Sequence, residues 1–123
     1  MRRAEIRVEP TEAFFERGRK HARLADRGDP IPPSHVVSFE DIESLLSVLT
    51  AKRVVLLRQV SETPASISDL AAKLKRDRSA VTRDIQLLES FGILRVIEKP
   101  LPGHGRQKWI MAVAHDIQLT AQL

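Results

Sequence analysis

The sequence contains no cysteine and no tyrosine, and its only aromatic residues are one tryptophan and four phenylalanines. The absence of cysteine excludes disulfides and thiolate-bound zinc, so apolar packing must hold the fold together. The scarcity of aromatic side chains argues against a protein that stacks single-stranded bases. Long apolar runs are also lacking, because no stretch approaches the ~18 residues that a membrane helix needs. We therefore expect a soluble protein with no membrane partner.

The sequence also lacks the usual patterns of a catalytic or metal site. The four histidines are scattered, and none shows the i, i+4 spacing of a helical metal pair. No glycine-rich phosphate loop follows a predicted strand, and no serine has an evident partner base. Asp69 and Asp84 are better explained as capping or surface charges than as a carboxylate pair. We expect no catalytic residues, no metal, no cofactor and no enzymatic activity.

The length of the chain and its N-terminal segment further narrow the class of protein. The 123 residues suggest one compact domain with small attachments, large enough to bury a core without metal or disulfides. The opening segment MRRAEIRVEP is charged and lacks the apolar run of a signal peptide. The expected location is therefore the cytoplasm.

Positive charge is concentrated in one segment. The chain carries 20 Lys and Arg against 16 Asp and Glu, a net charge of +4. Residues 73–83 contain five basic residues and one acid, which is a local charge of +4, so the remaining 15 basic and 15 acidic residues balance. A basic run is often only a solvated surface. Its restriction to one segment nevertheless favours an anionic partner, most plainly double-stranded DNA.

The same segment has the pattern of a helix-turn-helix. Ser66 is a suitable N-cap for a first helix. A polar turn, Lys75-Arg76-Asp77, interrupts the apolar pattern, and Asp77 can cap a second helix. Spacings of four and three then define the buried side of that second helix, formed by Val81, Ile85 and Leu88. A short helix, a turn and a longer helix with a polar, basic outer side are typical of this DNA-binding unit.

Each exposed residue of this unit has an expected role. The first turn of the second helix should enter the major groove, where Arg, Ser, Thr and Gln side chains can read base edges. The predicted base-reading residues are Arg78, Ser79, Thr82, Arg83 and Gln86. Basic residues before and in the turn suit phosphate contacts. These are Lys73, Lys75 and Arg76.

A basic hairpin is predicted after the second helix. Gly92 should end that helix, and residues 93–98 and 108–113 are β-type runs. Residues 99–107 contain two prolines and two glycines and are predicted to form an irregular loop. Two strands and such a loop form a wing, and its expected phosphate contacts are Lys99, Arg106 and Lys108.

The flanking segments are predicted to support this unit or to form a dimer. Residues 4–8 suggest a strand, and residues 11–26 a helix that places Phe14 and Phe15 with Gly18, Ala22 and Ala25 on one side. The proline-rich residues 28–35 should be a linker. Residues 114–123 suggest a last strand. Core packing and dimerisation remain alternatives for the phenylalanines; the predicted dimerisation residues are Phe14, Phe15, Ile117 and Leu119.

Two further helices are expected between the linker and the helix-turn-helix. Ser38 should begin the first, with Asp41 at the spacing of a capping box, and Thr50 should cap the second. The predicted segments are therefore 1–35 (strand, helix and linker, for dimerisation), 36–113 (winged helix-turn-helix) and 114–123 (C-terminal strand). The fold class is mainly α with a small β wing, an α+β winged helix-turn-helix with an extra N-terminal strand and helix.

The chain also resembles a known group of proteins. Over about residues 4–121 it is similar to the MarR-like winged helix-turn-helix transcriptional regulators and antitoxin-like DNA-binding proteins of archaea and bacteria. The similarity lies in Leu49-Thr50, Lys52-Arg53, Arg76-Asp77, Val81, Arg83-Asp84 and Leu88. The resemblance implies a DNA-binding regulator, and a cognate toxin as a further candidate partner. Position 78 is Arg where an aromatic residue is expected, and the segment 99–107 is longer than expected.

These observations lead to one main hypothesis and two alternatives. We expect a sequence-specific regulator that binds double-stranded DNA as a homodimer on a palindromic site. The alternatives are a winged-helix adaptor that binds another protein and a winged helix that binds RNA. An adaptor needs no basic recognition surface, so the local charge favours DNA or RNA.

Overall fold

The computed structural model describes residues 3–31 and 35–123, which fold as two compact units. One unit is Met1–Ser47 together with Asp116–Leu123, and the other is Val48–His115. In chain order the elements are β1 (Arg3–Val8), α1 (Thr11–Asp26), β2 (His35–Phe39), α2 (Ile42–Val48), α3 (Ala51–Glu62), β3 (Ala65–Ser66), α4 (Ile67–Leu74), α5 (Arg78–Ser90), β4 (Leu94–Leu101), β5 (Gly105–Ala112) and β6 (Asp116–Ala121).

The first unit is built on a parallel three-stranded sheet in the order β2-β1-β6. The central strand β1 alternates buried and half-buried residues, with Ala4, Ile6 and Val8 buried. This period of two is the pattern that predicted a strand here. The predicted C-terminal strand is confirmed as β6, which pairs with β1 of the same chain.

Helix α1 forms the crossover between β1 and β2. It begins after Pro10 and ends before Gly28, whose φ of +74° favours glycine. The Arg17 guanidinium donates two hydrogen bonds of 2.6 and 3.1 Å to the buried Glu9 carboxylate, and the Ser38 hydroxyl donates another of 2.6 Å. The Arg17 bond holds the pKa of the Glu9 carboxyl below its usual range, since it and the Ser38 bond outweigh the effect of burial. This network ties α1 to the sheet.

The predicted helix start at Ser38 is wrong. Ser38 lies in β2, where its partner across the sheet is Arg7 of β1. Helix α2 begins four residues later at Ile42, and Asp41 accepts a hydrogen bond of 2.7 Å from the Ser44 backbone N–H. Asp41 is therefore the residue that caps α2. Pairing with β1 decided the conformation of residues 35–39, and the spacing Ser38 to Asp41 only imitated a capping box.

The compact units divide the chain differently from the predicted segments. Because β2 pairs with β1, the first unit continues beyond the proline-rich stretch to Ser47. The prolines at 32 and 33 and Ser34 of that stretch lie outside the described residues. The second unit ends at His115, two residues later than the predicted boundary at 113.

The second unit is a winged helix-turn-helix. Helices α3, α4 and α5 are followed by the wing strands, and the sheet order is β3-β5-β4 with antiparallel pairing. The short strand β3 was not predicted. The core of the second unit is formed by fully buried side chains from its helices and its wing: Leu56, Val60, Leu70, Val81, Leu88, Ile93, Leu94 and Ile110. The predicted fold class is confirmed.

The wing is more regular than the sequence indicates. Residues 99–107 were predicted to be a loop, but β4 and β5 pair from Leu94 opposite Ala112 to Leu101 opposite Gly105. Only residues 102–104 connect the strands. Pro100 is accommodated because β4 is the edge strand of the sheet. Among the described residues, no helix has the length and apolar character needed to cross a membrane.

Candidate nucleic-acid interface

The helix-turn-helix begins with a capped helix and a strained turn. The Ser66 hydroxyl accepts a hydrogen bond of 3.1 Å from the Asp69 backbone N–H, which confirms the predicted cap of α4. Lys75 ends α4 in the left-handed conformation, with φ +53° and ψ +50°. Asp77 occupies the N-cap position of α5, although its side chain makes no capping hydrogen bond. The turn thus redirects the chain within three residues.

Helix α5 has a buried side and an exposed polar side. The predicted anchors Val81, Ile85 and Leu88 are buried, as expected. Four of the predicted base-reading residues are exposed and the fifth, Thr82, is half-buried; the exposed four are Arg78, Ser79, Arg83 and Gln86. The Thr82 hydroxyl donates a hydrogen bond of 2.7 Å to the Arg78 backbone carbonyl, so it can present only its acceptor lone pairs and methyl group to a ligand.

Asp84 is a buried residue, which corrects the expectation of a surface charge. Its Oδ1 accepts a hydrogen bond of 3.0 Å from Arg53 Nε on α3, and its Oδ2 accepts one of 2.7 Å from Arg76 Nη2 in the turn. Arg53 also donates from Nη1 to the Val48 carbonyl at 3.1 Å. One carboxylate on α5 thus binds both the preceding helix and the turn. The pairing was not predicted, although Arg53, Arg76 and Asp84 each belong to the segments that carry the family resemblance.

Arg76 is consequently not an exposed phosphate ligand. Its side chain is only 17% exposed, and within residues 3–31 and 35–123 its Nη1 is buried without a hydrogen-bond partner. Burial raises the pKa of the Asp84 carboxyl, but hydrogen bonds from Arg76 and Arg53 outweigh burial, and the net pKa lies below its usual value. The predicted phosphate role of Arg76 is therefore replaced by a structural one.

The other predicted contacts in and beside the turn remain available. Over the described parts of the chain, several exposed cations make no side-chain ion pair or hydrogen bond: Lys73, Lys75, Arg78, Arg83 and Lys108. On the wing, Lys99 Nζ lies 4.6 Å from the centroid of the Trp109 ring, a cation–π contact. Arg106 lies 3.7 Å from Glu98, and both side chains are more than half exposed. Such a surface pair contributes little stability.

A concave surface joins the start of α4, the start of α5 and the wing. This groove has a volume of about 240 Å³ and is lined by Ser66, Ile67, Ser68, Arg78, Arg106, Gln107 and Lys108. Three of its side chains are cationic, and two are serines. The N–H groups of a helix N-terminus favour anions. The arrangement therefore suits an anion such as a phosphate group, and it unites a predicted base-reading residue with two predicted wing residues.

The predicted dimerisation residues lie in the first unit. Phe14 and Phe15 on α1 are 48% and 54% exposed, and their rings meet edge to face at 5.5 Å between centroids. Leu119 on β6 is 54% exposed, whereas Ile117 is half-buried. Ile117 and Leu119 pair with Ala4 and Ile6 of β1. No contact of these residues with a second chain is described, so their assignment to a dimer stays a prediction.

Comparison with solved structures finds several chains of similar fold. A protein from Methanosarcina mazei Go1, named as a possible transcriptional regulator, is 20% identical with a TM-score of 0.51, covering 62% of this chain and 68% of that chain. A protein from the archaeon Sulfolobus tokodaii is 16% identical over 57% of this chain and 69% of that one, with a TM-score of 0.46.

A third structure is the homodimeric winged helix-turn-helix DNA-binding domain of a possible ArsR-family transcriptional regulator from Mycobacterium bovis. It is 12% identical over 62% of this chain and 73% of that chain, with a TM-score of 0.47. No curated protein matches the chain. The model of the protein family HVO_A0114 matches residues 48–119, which is more than half of the sequence and includes the whole helix-turn-helix and wing. The chain therefore belongs to the HVO_A0114 family.

Proposed function

We propose that the chain is a transcriptional regulator that binds double-stranded DNA in a sequence-specific manner. The observation that carries this proposal is the exposed side of α5, where Arg78, Ser79, Arg83 and Gln86 are all exposed while the opposite side anchors the helix in the core. An α-helix with such a side fits the major groove, and its first residues reach base edges. Neither catalysis nor a cofactor is part of the proposal.

The groove beside α5 supports a phosphate contact next to the bases. Arg78, Arg106 and Lys108 line it together with two serines at the start of α4. Arg78 and Lys108 have no acidic partner within the described residues, so they attract the DNA backbone without loss of an internal ion pair, whereas Arg106 lies 3.7 Å from Glu98. If each subunit neutralises ~4 phosphates, the slope of log K against log salt is roughly −3.6 per subunit.

The finer part of the proposal is a homodimer on a palindromic operator. One α5 spans only a few base pairs, so two copies related by a two-fold axis would supply the specificity that a regulator needs. The half-sites would lie about one turn of DNA, roughly 10 base pairs, apart or a multiple of it. The MarR-like and antitoxin assignments rest on the resemblance of residues 49–88, and a cognate toxin would be an additional partner.

Selection of bound sites from random duplex DNA tests this function. The expected result is a palindromic consensus, followed by salt-dependent binding of that duplex in anisotropy titrations. Single-stranded DNA and duplex RNA of the same sequence serve as matched controls. Equal binding of duplex RNA would favour the RNA alternative, and absence of binding to any nucleic acid would favour the protein adaptor. Co-expression with neighbouring genes and co-purification tests the toxin partner separately.

A further inference from the structure

Helix α1 has an apolar side that stays largely exposed in the described chain, with Phe14 and Phe15 48% and 54% exposed. No residue of α1 is buried. At 100° per residue, the half-buried positions Ala13, Arg17, His21 and Leu24 fall on one stripe, which is the side tied to the sheet. A second stripe about a third of a turn away contains no charged residue, and every one of its members is exposed: Thr11, Phe14, Phe15, Gly18, Ala22 and Ala25.

Nothing among the described residues explains why position 18, in the middle of this stripe, is a glycine. Glycine is among the poorest helix formers, and no atom lies within 4 Å of the position that a Cβ at Gly18 would occupy. Gly18 is also not among the described residues with positive φ, so its backbone conformation does not require glycine. A glycine at such a site is useful if another backbone approaches it closely.

We infer that the partner of this stripe is α1 of a second copy, packed antiparallel with its crossing point at Gly18. In that arrangement residue 18 meets its own counterpart, and Phe14 of one copy lies over Ala22 of the other. A large side chain thus fills the space above a small one at both ends of the contact. The arrangement deepens the proposed function, because a two-fold dimer is what a palindromic operator requires.

The charges of α1 support the antiparallel direction. Its first six residues carry Glu12 and Glu16 and no base, whereas residues 17–23 carry four bases and no acid. Antiparallel pairing places the acidic half of each helix beside the basic half of its partner. Parallel pairing would place like charges together along the whole contact. In the single chain Arg17 is held by the buried Glu9, whereas Glu12, Glu16, Arg19 and Arg23 form exposed ion pairs that can exchange partners.

Cysteine cross-linking tests this geometry in a chain that has no cysteine of its own. Under mild oxidation Gly18→Cys should form a disulfide-linked dimer, and a mixture of Phe14→Cys with Ala22→Cys should form a mixed dimer. Ala22→Cys alone should not, because the two copies of residue 22 would be eight residues apart along the paired helices. Lys20→Cys, on the opposite side of α1, is the control for random collision. The inference would be overturned if Ala22→Cys alone cross-linked as efficiently as Gly18→Cys. It would also be overturned if Gly18→Cys cross-linked no more than the Lys20→Cys control.

Gly18→Leu tests the same contact without oxidation. Leucine favours a helix, and the space around Gly18 is open, so the monomer should keep or gain thermal stability. Leucine at the crossing point should weaken the dimer roughly tenfold or more in sedimentation equilibrium. An unchanged dimer would contradict the inference. Binding of a single operator half-site is measured in parallel: a protein that binds DNA but fails to cross-link refutes only the α1 contact, and one that cross-links but binds no DNA refutes only the proposed function.

Discussion

Arg76 Nη2 lies 2.7 Å from Asp84 Oδ2, so the middle of the helix-turn-helix turn is bonded to the second turn of helix α5. Arg53 of α3 binds the other oxygen of the same carboxylate. Asp84 is therefore the residue that fixes α5 to two preceding elements. An arginine that the charge pattern assigned to DNA is used for the internal geometry of the unit.

Replacement of Asp84 should destabilise the second unit strongly. Asp84→Asn leaves two largely buried guanidinium groups without an anion, and removal of one partner from a buried pair costs about 3–5 kcal/mol. We expect a loss near 3 kcal/mol in urea unfolding, because the three side chains are 12–22% exposed. Glu89→Gln, an exposed acid on the same helix, is the matched control and should change little. Similar losses in both variants would refute the role of Asp84.

The same ion pairs should make the unit sensitive to acid. The pKa of the Asp84 carboxyl lies below its ordinary value of 3.8 in the folded protein. Above pH 3.8 the Asp84 carboxyl is ionised in both the folded and the unfolded protein, and the ion pairs contribute fully to the free energy of unfolding. As the pH falls through the folded pKa, the carboxyl protonates and this contribution is lost. The stability difference between wild type and Asp84→Asn should therefore shrink as the pH falls below 3.8. A difference that stays constant from neutral pH to about pH 2 would contradict this linkage.

Substitution by glycine should have opposite effects on protein stability at Lys75 and at Lys73. Lys75 is the non-glycine residue with positive φ among those described, at +53°, and a left-handed residue with a Cβ costs about 1–2 kcal/mol. Lys75→Gly should therefore stabilise the protein, but only by up to about 1 kcal/mol, because the greater unfolded-state entropy of glycine offsets part of the gain. Lys73→Gly, inside α4, should destabilise it by about 1 kcal/mol. Thermal unfolding measures both, and destabilisation by both substitutions would show that the turn is not strained.

The features of the fold that depend on local sequence could be predicted, whereas those that depend on long-range contacts could not. The caps at Thr50 and Ser66, the anchors of α5 and the stop at Gly92 each depend on neighbours in the chain, and all were predicted. Strand β2 was missed because its partner β1 lies some 30 residues earlier. The regular part of the wing was missed because Pro100 is compatible with a strand only at an edge, and the sequence does not state which strand is the edge.

The ion pairs of the candidate site could not be predicted from the sequence either. A count of charges treats all five basic residues of 73–83 alike, and it cannot indicate that Arg76 has an acidic partner at Asp84. The groove at the starts of α4 and α5 likewise unites Ser66, Arg78 and Lys108, which are far apart in sequence. Burial and pairing, rather than composition, separate the structural arginine from the cations available to a ligand.

Arg83 and Lys73 should differ in how they affect DNA binding. If Arg83 reads a base, Arg83→Ala should cost about 1–3 kcal/mol on the selected operator and little on random duplex. If Lys73 contacts a phosphate, Lys73→Ala should weaken both complexes equally and make the salt slope less steep by roughly 0.9. Anisotropy titrations at several salt concentrations measure both quantities. Equal loss on operator and random DNA for Arg83→Ala would refute its role in base reading.

Substitution of the two partners of the wing ion pair should change DNA affinity in opposite directions. Arg106 lies 3.7 Å from Glu98, with side chains 68% and 52% exposed, so the pair should contribute less than about 1 kcal/mol to stability. Arg106→Ala removes a cation from the proposed phosphate groove and should weaken binding to any duplex. Glu98→Gln removes the competing carboxylate and should tighten it, with a steeper salt dependence, because Arg106 becomes fully available. Arg58→Ala on α3 is the control for loss of a positive charge elsewhere in the unit. A weaker complex for Glu98→Gln would contradict the proposed role of Arg106. A loss for Arg58→Ala as large as for Arg106→Ala would mean that the wing acts only through net charge.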